Sequence, residues 1–336
     1  MLQPISRRPS EAAAWLLIGA MIAVCIGASL GLGFRFAMPE AAIPVIGVAI
    51  LCAAKRIGRT RRRPALRIGA TAFLQMTLFT LIGVVLPYAL AARGGALWDT
   101  RFGAIDRALG FDWPMVFAAA DRYPRLLWLG GLAYHSLTVQ MIACIVVLSA
   151  TGQADRLTVA VMAAIASGFV TILISGVTPA LGNVFDPGDY RHLWPSVAWM
   201  EQDMLTGLRD GRWRIIDLTR LMGIVTFPSY HATLPIILAW ALGRTRRWRG
   251  IAPLWAGITI VATPLFGGHY AIDVIAGAGL AVLALWLTPK IASVSTPSSP
   301  DASDPAGSGS FPTAVRSHDT APVADKIPTG ADNALV

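Results

Sequence analysis

Long apolar segments separated by short polar ones dominate the chain. They recur near 13–34, 40–54, 69–92, 127–150, 157–178, 228–243, 251–267 and 270–288. A helix needs about 20 mostly apolar residues to cross a hydrocarbon core of about 30 Å. The pattern therefore predicts an all-α, polytopic transmembrane helical bundle of about eight spans. The second segment is short and contains Pro44, so it could be re-entrant.

Composition supports a membrane protein and marks a different C-terminal region. The 336 residues are 55% hydrophobic and only 14% charged, whereas about a quarter of the residues in a soluble domain are charged. From residue 290 onward Ser, Pro, Ala, Gly and Asp dominate, a composition that cannot bury a core. We therefore divide the chain into N-terminal spans with a basic loop (1–68), a membrane-embedded core (69–289) and a disordered cytoplasmic tail (290–336).

The distribution of the net charge of +9 indicates the topology. Basic residues cluster in 6–10, 55–67 and 244–249, and eight crossings place all three on one side. The positive-inside rule makes that side cytoplasmic, with both termini there, in an inner (plasma) membrane. The same charges can contact anionic lipid headgroups, and no nucleic-acid partner is expected. The long linkers 93–126 and 179–227 then lie on the outer, periplasmic side.

The second outer linker contains a predicted amphipathic helix. Val197, Met200, Met204 and Leu208 recur at helical spacing beside Glu201. This pattern favours a helix lying on the membrane surface.

Two histidines and an aspartate are the strongest candidates for chemistry. His231 and His269 begin apolar segments on the same predicted face, and Asp273 lies four residues after His269. Residues four apart share one face of a helix. The carboxylate can therefore accept a hydrogen bond from one ring nitrogen and leave the other as a nucleophile or base.

The turns before these histidines suit an anion. Pro228 can occupy the first turn of a helix, and Gly268 lets the backbone approach a ligand closely. Two helix N-termini would then direct free N–H groups toward a phosphate. Ser229 and Gly268 are the phosphate-binding candidates in these turns.

The stretches "FPSYHA" (227–232) and "GGHYAIDVIAG" (267–277) resemble the second and third motifs of the type-2 phosphatidic acid phosphatase superfamily. They are most similar to the inositolphosphotransferase branch, which contains inositol phosphorylceramide synthase. The resemblance implies a six-helix core in which His269 forms a phosphohistidine, Asp273 orients it and His231 is the acid/base. It implies no metal and no other cofactor.

The chain departs from that family pattern at its cations. Ala262-Thr263 stands where simple lipid phosphatases of the superfamily carry Ser-Arg, and no Lys-x6-Arg-Pro motif is found on the outer side. Another cation must then meet the phosphate charge. Arginine is the natural candidate, because it binds phosphate oxygens in bidentate fashion. The outer linker offers Arg191, Arg209, Arg212, Arg214 and Arg220, of which Arg209, Arg214 and Arg220 are retained as candidates.

Polar residues in "AYHSLTVQ" (133–140) provide a second set of candidates. Tyr134, His135 and Gln140 could line a headgroup cleft. Hydrogen bonding between helices explains the same residues equally well.

The sequence leaves several functions open. The preferred prediction is a metal-independent lipid phosphotransferase that moves a phosphoalcohol headgroup, possibly inositol phosphate, from a phospholipid to a lipid hydroxyl. A hydrolase acting on lipid phosphates or polyprenyl diphosphates would use the same triad with water as acceptor. A proton-coupled transporter, a His/His/Asp metal site and two capping histidines without activity are the remaining alternatives.

Overall fold

The computed structural model describes residues 11–220 and 222–294, and helices make up most of this part. The helices are α1 (Ala12–Gly31), α2 (Met38–Thr60), α3 (Pro64–Ala91), α4 (Asp99–Ala108), α5 (Trp113–Asp121), α6 (Pro124–His135), α7 (Leu137–Ala150), α8 (Ala154–Val177), α9 (Val197–Asp210), α10 (Tyr230–Leu242), α11 (Ile251–Gly267) and α12 (Ala271–Val294). Two short strands, β1 (Arg35–Phe36) and β2 (Ile215–Ile216), pair in parallel. A 3-10 turn covers Pro187–Asp189.

The apolar segments predicted from the sequence all form helices, but not all are long enough to cross a bilayer. Within the described ranges α1, α2, α3, α8 and α12 qualify by length and composition, and α6 with α7 makes a sixth span bent by 54°. The apolar helices α10 and α11 are shorter, with 13 and 17 residues. The 23-residue α2 runs through Pro44 without a break.

Six elements enclose the main apolar core. α3, the α6–α7 pair, α8, α10, α11 and α12 pack against one another, while α1 lies on α3 and α8, and α2 lies on α3. Leu148, Ile165 and Ile237 are fully buried between them. These helices form the predicted six-helix core.

The end of the chain differs from the prediction at one boundary. α12 continues to Val294, so residues 290–294 are helical and do not belong to a disordered tail. The core helix is simply longer than its apolar stretch. The rest of the predicted tail, from 295 onward, and the basic segment 6–10 lie outside the described residues.

The loop containing the basic segment 244–249 lies at the end of the bundle opposite to His231. The Gln153 Nε2 group donates to Thr245 Oγ1 at 3.0 Å, which joins the α7–α8 and α10–α11 loops at this end. His231 lies in the first turn of α10, whose 13 residues span roughly 20 Å. The histidine end and the basic end are therefore separated by the length of α10.

The linkers 93–126 and 179–227 are structured, as predicted, and cover the histidine end. α9 packs on α3 and α11, so its buried face is set by protein contacts. Ala198, Glu201, Leu205 and Leu208 point inward, whereas Met200 is 52% exposed. Of the predicted apolar stripe, Met204 and Leu208 are buried and Met200 is not, and Glu201 belongs to the buried face.

Candidate active site

The first turns of α10 and α12 meet and bring the two histidine motifs together. The Ser229 N–H donates to the Asp273 carbonyl at 2.9 Å, and the Thr233 hydroxyl donates to the Gly277 carbonyl at 2.8 Å. A Cβ atom at Gly277 would collide with the Ser229 carbonyl oxygen. This close backbone contact fixes the position of His231 relative to Asp273.

His231, His269 and Asp273 form one cluster. The His269 Nδ1 atom lies 3.4 Å from Asp273 Oδ2, and the centroids of the His231 and His269 rings are 6.4 Å apart. Asp273 is fully buried. The contact is longer than an ordinary N–H···O hydrogen bond of about 2.9 Å, but catalytic contacts commonly tighten only when substrate binds. Because Nδ1 faces the carboxylate, Nε2 is the ring nitrogen left for a reacting atom.

Two glycines between α11 and α12 set the position of His269. Gly268 has a φ of 73°, a conformation that favours glycine, and its carbonyl accepts from Asn183 N–H at 2.6 Å. A Cβ at Gly267 would lie 2.7 Å from the His269 ring. Gly268 itself faces Ala198 of α9. Its predicted contact with phosphate stays a prediction.

A cavity of about 390 Å³ opens beside the histidines. Its polar lining includes Tyr134, His135, Glu201, Gln202, His231 and His269. Its apolar wall is formed by α3, α7 and α8, with residues such as Phe79, Met141 and Ile172. The Tyr134 ring stacks on His231 with centroids 4.4 Å apart, which holds the imidazole at the cavity wall. The cavity thus joins a histidine pair to an apolar groove.

A family model of the PAP2 superfamily matches residues 100–287, which is more than half of the 336-residue chain. The chain belongs to the PAP2 superfamily. No curated protein and no solved structure matches it. Membership confirms the superfamily inferred from the two motifs and indicates a multi-pass membrane protein of the lipid phosphatase or phosphotransferase type. The inositolphosphotransferase branch stays a prediction.

Asp106, which the sequence analysis missed, holds the start of α12 in this PAP2-superfamily site. Its carboxylate accepts from the backbone N–H groups of Ala271 at 2.7 Å and Ile272 at 3.0 Å. It also accepts from the Trp113 indole N–H at 2.8 Å. Asp273 adds a bond from the Tyr270 N–H at 2.8 Å, in the manner of a capping box.

These bonds change the predicted role of the α12 N-terminus. The first N–H groups of α12 are taken by two carboxylates of the protein and are not free for phosphate, so that part of the anion-site prediction was wrong. The α10 N-terminus differs. Within the described residues nothing accepts from the Tyr230 and His231 amides, and the buried Ser229 hydroxyl has no partner. A phosphate near Ser229 would therefore meet unoccupied donors.

Asp99 of α4 holds the loop that follows α8 and the turn between α11 and α12. It accepts from the Leu181 and Gly182 N–H groups at 3.0 and 2.9 Å, and from the Tyr270 hydroxyl at 3.1 Å. The seven-residue spacing of Asp99 and Asp106 is the signal that could have predicted a shared face. Their partners, however, lie in distant segments of the chain.

Glu201 was also missed as a site residue. It is 5% exposed and lines the cavity, and its Oε1 atom has no hydrogen-bond partner within the described ranges. Burial raises the pKa of this carboxyl to about 8, because a charged carboxylate is poorly solvated there. Other titratable side chains lining the cavity include Tyr134, His135, His231 and His269.

Gln140 lies away from the histidine cavity and hydrogen-bonds between helices. Its Nε2 group contacts the Ala133 carbonyl, Ser136 Oγ and Thr259 Oγ1 at 3.1 to 3.2 Å. It lines a separate apolar groove of about 280 Å³ between α7, α10 and α11. Tyr134 and His135 do line the cavity, so only these two of the set are beside the triad.

The structure does not bring the candidate arginines into the cavity. Arg209 donates to the Gly95 carbonyl, and Arg214 donates to the Leu208 carbonyl at 2.8 Å. Arg220 is 87% exposed and lies 3.7 Å from Asp217. Among the described lining residues there is no Arg or Lys. Phosphate binding by one of these arginines stays a prediction, and Arg220 has the freest guanidinium of the three.

The part of the chain that the structure describes contains no group of three or more His, Cys, Asp or Glu side chains placed to hold a metal ion. The Asp273 carboxylate faces His269 Nδ1, and the His231 and His269 rings are tilted by 47° relative to each other.

Proposed function

We propose that the protein is a membrane lipid phosphotransferase that acts through a phosphohistidine at His269. The donor would be a phospholipid carrying a phosphoalcohol headgroup, such as inositol phosphate, and the acceptor a lipid hydroxyl. The observation that carries the proposal is the cluster of His231, His269 and Asp273 beside the cavity of about 390 Å³ and its apolar wall.

Two steps would complete the reaction. His269 Nε2 attacks phosphorus, the bond from phosphorus to the diacylglycerol oxygen breaks, and His231 gives its proton to that oxygen. His231 then takes the proton of the acceptor hydroxyl, whose oxygen attacks phosphorus as the phosphorus–nitrogen bond breaks. Asp273 holds the His269 Nδ1–H and stabilises the charge that develops on the ring.

The lining of the cavity favours a phosphodiester over a phosphomonoester. A diester carries one negative charge and a monoester close to two near neutral pH. Neither Arg nor Lys lines the cavity within the described residues, so a second charge would be costly in a site of low dielectric. The single charge of a diester places a smaller demand on this lining.

The apolar wall supports a lipid as substrate. Side chains of α3, α7 and α8 continue the cavity from the histidines into the bundle, where acyl chains could follow. We propose that the histidine end of the cavity faces the periplasmic side of the inner membrane. The basic segment 244–249 lies at the opposite end of α10 and would be cytoplasmic by the positive-inside rule, as would both termini. Cysteine labelling from either side of intact cells tests this orientation.

The direct test follows headgroup-labelled phosphatidylinositol in nanodiscs containing the purified protein and a lipid alcohol. We expect label in the acceptor lipid with wild type, and loss of at least about 10³-fold with His269→Ala. His192→Ala is the matched control, because His192 is exposed and lies outside the cavity lining. Acid-labile label on the wild-type protein, absent from the variant, would identify the phosphohistidine.

The hydrolase is the second candidate, because water can replace the acceptor without any change in the triad. Free inositol phosphate, or phosphate released from phosphatidic acid or polyprenyl diphosphate in a His269-dependent way, would favour it. No His269-dependent turnover of any of these lipids would contradict both reactions and return a proton-coupled transporter to consideration.

A further inference from the structure

Glu201 presents an unmatched carboxyl group to the catalytic cavity. It is the one acidic residue among the described lining residues of that cavity, and no described group hydrogen-bonds to its Oε1 atom. A buried polar group without a partner is unfavourable. Elsewhere on α9, Asp203 is exposed and paired with Arg212 at 3.6 Å. The inward position of Glu201 therefore distinguishes it from an ordinary surface carboxylate.

The geometry places Glu201 beside the reacting histidine. Ala198 of α9 packs against Gly268, which precedes His269 in the chain. Glu201 lies three residues beyond Ala198 on the same buried face, and such pairs have Cβ atoms about 5–6 Å apart. Glu201 lines the same cavity as Tyr134, whose ring stacks on His231. A headgroup on phosphorus between the histidines would be within reach of Glu201.

The chemistry of the surroundings favours a hydroxyl as the ligand group. Gln202 lines the same cavity, and the buried Thr171 hydroxyl at its wall has no partner among the described residues. These neutral donors and acceptors match alcohol groups, which donate and accept in turn. An ammonium group would instead require an ionised carboxylate, and a carboxylate charge beside the phosphate would oppose phosphate binding.

We propose that Glu201 binds a hydroxyl group of the substrate's headgroup and thereby makes the enzyme selective for polyol headgroups over headgroups without hydroxyls. The inference rests on the proposed phosphotransferase function and adds the chemical class of its headgroup. Glu201 acts as a neutral acid that accepts from one hydroxyl and donates to another oxygen. Loss of that hydrogen bonding lowers affinity for polyol headgroups.

The test compares headgroup selectivity in full-length protein in nanodiscs. Donors are phosphatidylinositol, phosphatidylethanol, which lacks headgroup hydroxyls, and phosphatidylethanolamine, which carries an ammonium. The readout is the ratio of kcat/KM for phosphatidylinositol to that for each other donor. We expect Glu201→Leu to lower the ratio to phosphatidylethanol about tenfold. Glu201→Gln, which keeps a donor and an acceptor, should retain it within about threefold. Asp203→Asn is the control on the same helix and should match wild type.

Three results would overturn the inference. They are a wild type without preference for phosphatidylinositol over phosphatidylethanol, a ratio that Glu201→Leu leaves unchanged, and a Glu201→Leu variant whose main loss of kcat/KM falls on phosphatidylethanolamine. A purely structural role for Glu201 would lower all three donors together and leave the ratios constant.

A binding measurement separates this inference from the proposed function. Calorimetry with two soluble phosphodiesters, inositol methyl phosphate and ethyl methyl phosphate, needs no turnover. If no lipid is turned over, the phosphotransferase proposal fails. The Glu201 inference then still stands if wild type binds inositol methyl phosphate more tightly than ethyl methyl phosphate and Glu201→Leu does not. Equal binding of the two probes by wild type contradicts it.

Discussion

Asp106→Asn should destabilise the protein and its active site far more than the small change in shape suggests. The Asp106 side chain is 0% exposed. Its Oδ2 atom accepts from Trp113 and Ala271, and its Oδ1 atom accepts from Ile272. An asparagine has one acceptor oxygen, which would take the place where two donors converge. Its NH₂ group would then face the Ile272 N–H.

The cost follows from these three bonds. One buried N–H left without an acceptor costs about 1–3 kcal/mol, and each of the two remaining bonds loses about 1 kcal/mol when its acceptor is no longer charged. The free energy of unfolding should therefore fall by about 3–5 kcal/mol. Activity should fall as well, because α12 begins at these amides and carries Asp273 in its first turn.

An SDS titration of the purified protein, followed by tryptophan fluorescence, measures the loss. Asp112→Asn is the matched control, since the Asp112 carboxylate caps α5 with a single exposed bond to Met115 N–H at 3.2 Å. A cap of this kind is worth about 1 kcal/mol. If Asp106→Asn were no more destabilising than Asp112→Asn, the account of the α12 anchor would be wrong.

Three further predictions concern α9, α10 and α12. Gly277→Ala should lower the unfolding free energy by roughly 2 kcal/mol or more, because the new Cβ collides with the Ser229 carbonyl; Gly279→Ala, which meets no atom within 4 Å, should not. Thermal unfolding of the pair checks this. The pKa of Glu201 is about 8 in the folded state and 4.5 in the unfolded state, so the folded protein holds the proton more tightly. The free energy of unfolding should therefore fall as pH rises toward 8, by roughly 3 kcal/mol between pH 6 and pH 9. Glu201→Gln should remove this contribution in a pH series of SDS titrations. Asp273→Asn should leave the fold intact and reduce phosphohistidine formation at least about 10²-fold in rapid-quench labelling; rates equal to wild type would contradict its orienting role.

The sequence predicted the parts of the fold that depend on local pattern. Apolar segments gave the helices and the six-helix core, and the four-residue spacing of His269 and Asp273 placed the pair at one helix end. Local pattern also predicted the α10 start at Pro228 within about two residues. Span counting was less accurate, because hydropathy does not distinguish a full span from the 13-residue α10.

Residues whose partners are distant in the chain could not be found in this way. Asp106 contacts an amide 165 positions later, and nothing near Asp106 in the sequence indicates that partner. The apolar pattern of α9 runs through Met200 and gave no indication that Glu201 lies on the buried face. The choice between the two faces of α9 is made by Ala198, whose small side chain lets the helix lie against Gly268. One small residue opposite a glycine thus directs a carboxyl group into the cavity beside His231 and His269, and the proposed headgroup selectivity depends on this contact.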